Sequence, residues 1–230
     1  MKRITIHQPQ YIPWVPYFDK ILRCDEFVFL DNVQFQKNGL QNRNQIKGPQ
    51  GAQWLTIPVK HSFGQLICET QIANRKELNK HLKTLEMNYK KAPYFDEVFA
   101  LISDSYKSTS GNLSDFCCEI IIKSLNYLGY EGQIVKNSGL SVEGKASDLV
   151  LNICKKCKAD IYLSGQGGKD YLDLGEFEKA GIRVEFQKYQ SQEYHQCFPQ
   201  AGFYKDLSVM DLLFNEGQNS LTIIENGRIE

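Results

Sequence analysis

The segment that begins at His7 combines residue types that could bind and activate a ligand. The imidazole of His7 can act as a general base, Gln8 can donate and accept hydrogen bonds, and Lys20 can hold an anionic group. The rings of Tyr11 and Trp14 could stack against a base or a sugar, although packing beneath a helix is the more ordinary role for them. For His7 we favour function, because a Gln-Pro pair follows it where a core would require apolar residues.

A second polar group follows the next apolar segment, which ends at Asp31. The carboxylate of Asp31 could bind a hydroxyl, an amine or a metal ion, or act as a general base. Gln34 and Lys37 extend from the loop just beyond it. In a parallel sheet, Asp31 and His7 would share the edge at which ligands bind. The alternative is an ordinary turn at Asp31 and Asn32, and we favour a ligand site.

Hydrogen-bond donors are concentrated at Arg43, Asn44 and Lys47, directly before a Gly-Pro turn. Arginine offers two parallel donors to a phosphate or carboxylate, and lysine offers a point charge. The same residues could equally form the solvated arm of a hairpin. The sequence leaves both interpretations open.

A glycine-rich turn after a later apolar segment has the composition of a phosphate-binding loop. A strand, a glycine turn and a helix in this order let backbone N–H groups approach a phosphate. The spacing is not that of a Walker motif, and the glycines could simply form a tight turn. We favour ligand binding for the residues of this turn, Ser164, Gly165, Gly167, Gly168 and Lys169.

Lys145 is a further candidate for holding a phosphate, because it begins the helix that precedes this strand. Capping of that helix by Ser147 or Asp148 is the simpler interpretation. No metal site is expected. Cys154 and Cys157 have metal-site spacing but no matching second pair, and we predict that they are core residues.

Composition excludes several classes of protein. The 27 basic and 27 acidic residues balance, which disfavours nucleic acid as a partner. No apolar run resembles a signal peptide or a membrane span, so we predict a cytoplasmic protein with reduced cysteines and no membrane partner. The remaining histidines have no partner at metal or triad spacing, and His81 is expected on an exposed helix face.

The elements that must position these residues alternate between strand and helix. Short apolar runs predict strands over Arg3–His7, Glu26–Asp31, Gln53–Val59, Gly132–Lys136, Asp160–Ser164 and Arg183–Gln187. Apolar periodicity predicts helices over Pro13–Arg23, Lys76–Lys91, Pro93–Lys107, Asn112–Leu128 and Lys145–Ala159. We therefore predict an α/β fold with a mostly parallel sheet flanked by helices, Rossmann-like. It would be a single domain over residues 1–230, with a helical segment at about 76–128 as a cap or insertion. The tail after Leu207 is predicted as one helix and an edge strand, Ser220–Glu225.

These motifs together resemble the WbqC-like family, over Ile4 to about Gly181. The resemblance is carried by His7-Gln8-Pro9-Gln10-Tyr11-Ile12-Pro13-Trp14, Tyr17-Phe18-Asp19-Lys20-Ile21, Phe29-Leu30-Asp31-Asn32-Val33-Gln34-Phe35, Asn42-Arg43-Asn44, Trp54-Leu55-Thr56-Ile57-Pro58-Val59 and Tyr162-Leu163-Ser164-Gly165-Gln166-Gly167-Gly168. One departure is Pro16, where the family usually has glycine. Membership implies a bacterial protein often encoded among surface-polysaccharide genes (O-antigen of lipopolysaccharide), with a proposed role in attaching an aminoacyl group, glycine in particular, to an amino sugar.

The opening segment also resembles, more distantly, that of pantothenate synthetase and other enzymes of the nucleotidylyltransferase fold. The likeness rests on strand, His7, helix and strand, followed by Asn32-Val33-Gln34-Phe35. Such enzymes bind ATP at the first strand-to-helix turn. This chain lacks the second histidine of their HxGH motif, because Gln10 and Tyr11 occupy that neighbourhood.

The function expected from the sequence is an N-acyltransferase or ligase that acts on a nucleotide-linked amino sugar, with His7 or Asp31 as general base. The acyl donor is left open between a coenzyme A thioester, an aminoacyl-tRNA and an acid activated by ATP. Transfer RNA would be the exception to the exclusion of nucleic acid, and a homo-oligomer is compatible with the sequence. The alternatives are an ATP-dependent nucleotidylyltransferase-like enzyme and a nucleotide-binding module without catalysis.

Overall fold

The computed structural model describes residues 1–229. The strands, in chain order, are β1 (Arg3–His7), β2 (Glu26–Phe29), β3 (Arg43–Gly48), β4 (Gly51–Thr56), β5 (Val59–Lys60), β6 (Gln71–Ile72), β7 (Gln133–Lys136), β8 (Ile161–Ser164) and β9 (Arg183–Phe186). The α-helices are α1 (Val15–Leu22), α2 (Arg75–Tyr89), α3 (Phe95–Ser108), α4 (Leu113–Tyr127), α5 (Asn137–Leu140), α6 (Ala146–Lys156), α7 (Leu174–Lys179), α8 (Val209–Glu216) and α9 (Ser220–Asn226).

A parallel sheet of five strands forms the centre of the molecule, in the order β7-β2-β1-β8-β9. Ile4 of β1 lies between Glu26 of β2 and Tyr162 of β8. The chain proceeds outward from β1 through β2 to β7, and then crosses to the other side to add β8 and β9. The direction of winding therefore reverses between β1 and β8, which is where open α/β sheets bind ligands. The predicted Rossmann-like fold is confirmed.

Both faces of the sheet are covered, which accounts for its continuous apolar strands. Phe27 and Phe29 belong to one hydrophobic cluster together with α1 and the helices α2–α4. Val28, between them, belongs to a second cluster with residues of α6 and α7. Successive side chains of β2 thus point to opposite faces, as the period of a strand requires.

The predicted helical middle segment is present as α2, α3 and α4. The side chain of Asn74 caps α2 by accepting a hydrogen bond from the Lys76 backbone N–H, and Asn112 caps α4 in the same way. Buried residues of these helices share one cluster with α1 and α8. The description of the segment as a cap or insertion stays a prediction.

The strand predicted over Gln53–Val59 lies outside the main sheet and ends at Thr56. It is half of an antiparallel hairpin of β3 and β4, in which Arg43 pairs with Thr56 and Gly48 with Gly51. Gly51 has a φ of +112°, and a Cβ there would overlap the ring of Tyr204. This glycine therefore allows the turn and lets the hairpin pack against the segment that precedes α8.

The edge strand predicted over Ser220–Glu225 is wrong, because the segment forms helix α9. Its β-branched residues favour a strand locally. Ser220 and Ile224, one helical turn apart, are however both fully buried, and α9 packs against α1 and α8. Burial of one helical face thus outweighs the local preference.

Candidate functional site

A cavity of about 620 Å³ opens at the carboxyl ends of β1 and β8, at the point where the winding of the sheet reverses. This volume falls within the range of small-molecule sites. Five of the residues singled out in the sequence line it: His7, Trp14, Lys20, Gly165 and Gly167. The first strand-to-helix turn and the glycine turn, far apart in sequence, therefore form one site.

His7 is held in a defined orientation at the end of β1. Its Nδ1 lies 3.2 Å from the carbonyl oxygen of Gln8, and its ring meets that of Tyr17 edge-on with centroids 4.7 Å apart. The Tyr17 hydroxyl donates to the same carbonyl at 3.1 Å. A carbonyl oxygen can only accept, so Nδ1 carries the proton and the lone pair is on Nε2.

Burial is the main reason that the pKa of His7 is lowered to about 3. The positive charge of Lys20 lowers it further, whereas the hydrogen bond to Gln8 acts in the opposite direction. The imidazole is consequently neutral at physiological pH. It can accept a proton, but burial and, to a lesser extent, the Lys20 charge make it a weak base.

Lys20 is only 3% exposed, and its ammonium group faces the cavity with one weak contact, 3.4 Å from Nζ to the carbonyl oxygen of Ile6. Among residues 1–229, no carboxylate forms an ion pair with it. Burial lowers the pKa of Lys20 to about 8. Its neighbour Asp19 is also buried, but binds Arg228 at 2.8 Å and the Gln187 amide at 2.7 Å.

The beginning of α1 supplies few free donors to the cavity. Pro16, in the first turn, has no N–H group, and the Tyr17 N–H is already bonded to the Trp14 carbonyl at 3.1 Å. The N-terminus of α1 is therefore a poor site for an anion. The Lys20 ammonium is the better placed positive group.

The glycines of the glycine turn contribute space, and Gln166 between them also lines the cavity. A Cβ at Gly165 would lie 4.0 Å from the Lys20 ammonium, and one at Gly167 would contact nothing. Gly168 has a structural role, because a Cβ there would overlap the Ser164 hydroxyl. Lys169 lies outside the cavity, 5.4 Å from the Phe186 ring centroid.

The outer wall of the cavity comes from a segment that the sequence analysis did not identify. Its lining residues here are Gln187, Tyr189, Gln190, Ser191, Lys205 and Asp206. Gln187 joins this wall to α1 by donating to the Pro16 carbonyl at 2.8 Å. Its position at the end of a predicted strand was the one available signal, since the rest of the wall is irregular chain without a motif.

Asp31 does not line the cavity. It is 1% exposed, and its two carboxylate oxygens accept hydrogen bonds from the Ser138 backbone N–H at 2.9 Å and from the Ser138 hydroxyl at 2.6 Å. Gln34 and Lys37 are exposed residues of the following loop. Lys145 is exposed at the start of α6, where no side chain supplies the N-cap.

The remaining candidates of the first turn face the protein interior. The Gln8 side chain accepts a hydrogen bond from the Gln41 amide at 2.8 Å. Tyr11 is fully buried, with its hydroxyl 3.0 Å from Nδ1 of His81 and 2.8 Å from the Tyr106 hydroxyl. His81 was predicted on an exposed face and this is wrong, because it is only 6% exposed.

The donors Arg43, Asn44 and Lys47 lie on β3 of the hairpin, and each has partners inside the protein. Arg43 lies over the ring of Trp54, 4.6 Å from its centroid. Asn44 is buried and donates to the Ile12 carbonyl at 2.8 Å. Lys47 is buried and donates to the Gln196 side chain at 3.0 Å. The latter two residues are therefore neither solvated nor in the cavity.

Cys154 and Cys157, which have metal-site spacing, lie in the hydrophobic core. Cys154 and Cys157 are buried beneath the sheet, as predicted, and burial raises the pKa of the Cys157 thiol to about 11. Within residues 1–229, no three His, Cys, Asp or Glu side chains are grouped so that they could hold a metal ion. In the same part of the chain, no helix is both long and apolar enough to cross a bilayer.

The fold and cavity define a Rossmann-like α/β protein with a cavity at the switch point of its sheet. The chain belongs to the WbqC-like protein family, whose profile matches residues 8–223. It is similar to a Mycobacterium tuberculosis protein (strain ATCC 25618 / H37Rv) named "Uncharacterized protein Rv1507c", with 34% identity over 221 residues. The alignment covers 94% of this chain and 95% of that protein. No solved structure matches the chain, and the likeness to pantothenate synthetase gains no support.

Proposed function

We propose that this protein is an N-acyltransferase that joins a small acyl or aminoacyl group to the amine of a nucleotide-linked amino sugar. Surface-polysaccharide biosynthesis is the context that the family resemblance implies. The observation that carries the proposal is a neutral imidazole, His7, facing a cavity of about 620 Å³ at the sheet switch point. Such a cavity has room for much of a nucleotide sugar.

In the proposed reaction the sugar amine attacks the carbonyl carbon of an activated acyl group. The new N–C bond forms as the bond from that carbon to the activating group breaks, and the activating group leaves with the electron pair. His7 accepts the proton that the amine nitrogen loses, through Nε2. Asp31, the other candidate base, is used by Ser138 and lies outside the cavity.

Other parts of the cavity would bind and orient the two substrates. Trp14 offers a ring face for a base or a sugar. Gly165 and Gly167 let a bulky group approach the backbone closely. The wall from Gln187 to Asp206 follows both β1 and the glycine turn in the sequence and provides further hydrogen-bonding groups, so it would complete the enclosure of the substrate.

The test is acyl transfer by the purified protein, measured as the gain of the acyl mass on the sugar nucleotide. UDP- and dTDP-linked amino sugars are offered with acetyl-coenzyme A, with glycyl-tRNA, or with glycine and ATP. We expect one donor to give product and His7→Gln to lower the rate by roughly 10²–10⁴-fold. His195→Gln is the matched control, since His195 lies away from this cavity.

If no donor gives product while the sugar nucleotides still bind, the proposed chemistry is wrong and the cavity is a nucleotide-binding module. Release of pyrophosphate from ATP without any acyl acceptor would instead favour a nucleotidylyltransferase-like reaction.

A further inference from the structure

Lys20 is a buried cation whose hydrogen-bonding capacity is mostly unused. An ammonium group has three donors, and the structure gives Nζ one weak partner, the Ile6 carbonyl oxygen at 3.4 Å. A buried charge without a partner is strongly destabilising. The cavity is the side from which a partner can come, because Lys20 lines it.

The nearby acidic groups do not fill this role. Asp19 precedes Lys20 in α1, but its carboxylate is bound by Arg228 and the Gln187 amide. Asp206 lies at the cavity wall and accepts a hydrogen bond from the Ser191 hydroxyl at 2.6 Å. The Cys24 thiol donates to the Lys20 carbonyl, and burial raises its pKa to about 12, so it is neutral.

We propose that Lys20 binds an anionic group of the ligand beside the glycine turn, and that this anion makes His7 a stronger base only while the ligand is bound. Phosphate and carboxylate share the required chemistry. The anion site stands by itself, whereas the effect on catalysis rests on the proposed function.

The electrostatic reason is that His7 and Lys20 face one cavity and act on each other. After burial, the Lys20 charge is the second cause that lowers the pKa of His7. An anion held by Lys20 opposes that charge and raises the pKa of His7, and it stabilises the charged form of Lys20 as well. Binding near pH 7.5 should therefore be accompanied by proton uptake at Lys20, whose pKa of about 8 leaves part of the population neutral, while His7 stays neutral.

Other charged and titratable groups also face the cavity. Tyr17 approaches from α1, and Tyr189, Lys205 and Asp206 come from the outer wall. Burial raises the pKa of Tyr189 and of Tyr17 above the ordinary value, so both rings are neutral at pH 7.5. Lys205 and Asp206 have opposite formal charges, and neither is among the groups that shift the pKa of His7. An anion at the glycine turn would therefore alter the pKa of His7 mainly by opposing the charge of Lys20.

A first experiment measures binding of inorganic pyrophosphate by isothermal titration calorimetry at pH 7.5, in two buffers of different ionisation enthalpy. Malonate, a dicarboxylate, is titrated in parallel to distinguish phosphate from carboxylate recognition. We expect binding with net proton uptake, and Lys20→Met should weaken it at least about tenfold, the loss of one charge-assisted contact. Lys179→Met, on exposed helix α7, is the control and should bind as the wild type does.

Gly165→Asp provides a second variant that does not remove the lysine. The backbone at Gly165 has φ −69° and ψ 166°, which any residue adopts, and a Cβ there would lie 4.0 Å from Lys20 Nζ. The new carboxylate should pair with Lys20, block pyrophosphate and raise the pKa of His7 without ligand. Gly165→Asn, of the same shape but neutral, should not raise it.

The His7 pKa is followed by NMR of the ring resonances, assigned with His7→Gln. Pyrophosphate should raise it by about one unit or more, and Gly165→Asp should do so without pyrophosphate. The proposal is overturned if Lys20→Met binds both anions as tightly as the wild type, or if neither pyrophosphate nor Gly165→Asp moves the His7 resonance. These measurements need no acyl donor, so they can succeed where acyl transfer fails, and fail where it succeeds.

Discussion

The two buried lysines, Lys20 and Lys47, show how the same side chain serves two different purposes. Both are almost inaccessible, with 3% and 1% exposure. Lys47 donates to the Gln196 side chain and to the Gly202 carbonyl, and the Tyr204 ring lies 5.7 Å from its ammonium. Lys20 has one weak contact and an open cavity. A buried lysine with its acceptors present is structural, and one without them is available to a ligand.

The surroundings of Lys47 reinforce this difference. Asp211 is buried nearby and accepts hydrogen bonds from the Tyr89 hydroxyl at 2.7 Å and the Tyr194 hydroxyl at 2.8 Å. Burial raises the pKa of Asp211, and the Lys47 charge opposes that rise. This network holds the irregular segment that continues to Lys205 and Asp206 in the cavity wall. Lys47 thus supports the wall of the cavity that Lys20 faces.

The largest effect on stability is expected from Lys47→Met. The change leaves the Gln196 side chain and the Gly202 carbonyl without their donor and Asp211 without a nearby positive charge, which should lower the free energy of unfolding by roughly 3–5 kcal/mol. Urea unfolding followed by circular dichroism measures it. A loss below about 1 kcal/mol would contradict the structural role of Lys47.

Lys20→Met should change the free energy of unfolding in the opposite direction. Removing a buried charge that has no partner is expected to raise the free energy of unfolding by roughly 1–3 kcal/mol at pH 7, while anion binding is lost. The folded pKa of Lys20, about 8, is below its ordinary 10.5, so the wild type gains stability as the pH rises between these values. The advantage of Lys20→Met should shrink over that range. A variant that is less stable than the wild type at pH 7 would show that Lys20 has a partner after all.

The smallest effect concerns stability at acid pH. It separates the contribution of His81 from that of His7. Burial lowers the pKa of His81 to about 4 and that of His7 to about 3, so the unfolded chain takes up protons first as the pH falls below 6.5. The contribution of these neutral histidines to the free energy of unfolding should be fully present above pH 6.5 and should decline toward pH 4. His81→Gln should reduce this slope by at most roughly 1.4 kcal/mol per pH unit. Thermal melts of the wild type and of His81→Gln over this pH range measure the slopes. Equal slopes of stability against pH in the two proteins would refute the lowered pKa of His81.

Much of the fold follows from local patterns. The strands that flank the cavity and the three middle helices are close to their predicted bounds, because continuous apolar runs and helical periodicity depend on neighbouring residues alone. Residues at the ends of β1 and β8 could be selected before their contact was known. Helix α9 and the buried position of His81 could not be predicted from the sequence, because both depend on packing against elements distant in sequence.

The candidate site divides in the same way. The sequence by itself determined that His7 and the glycine turn stand at strand ends in a parallel α/β protein and that Lys20 lies on the first helix, since element type and strand direction follow from spacing and composition. Only the tertiary structure decided that Asp31 and Lys47 are occupied by internal partners while Lys20 is not, and that residues 187–206 form the cavity wall. The physical reason is that hydrogen-bond satisfaction and burial are properties of contacts between distant segments, which no local pattern encodes.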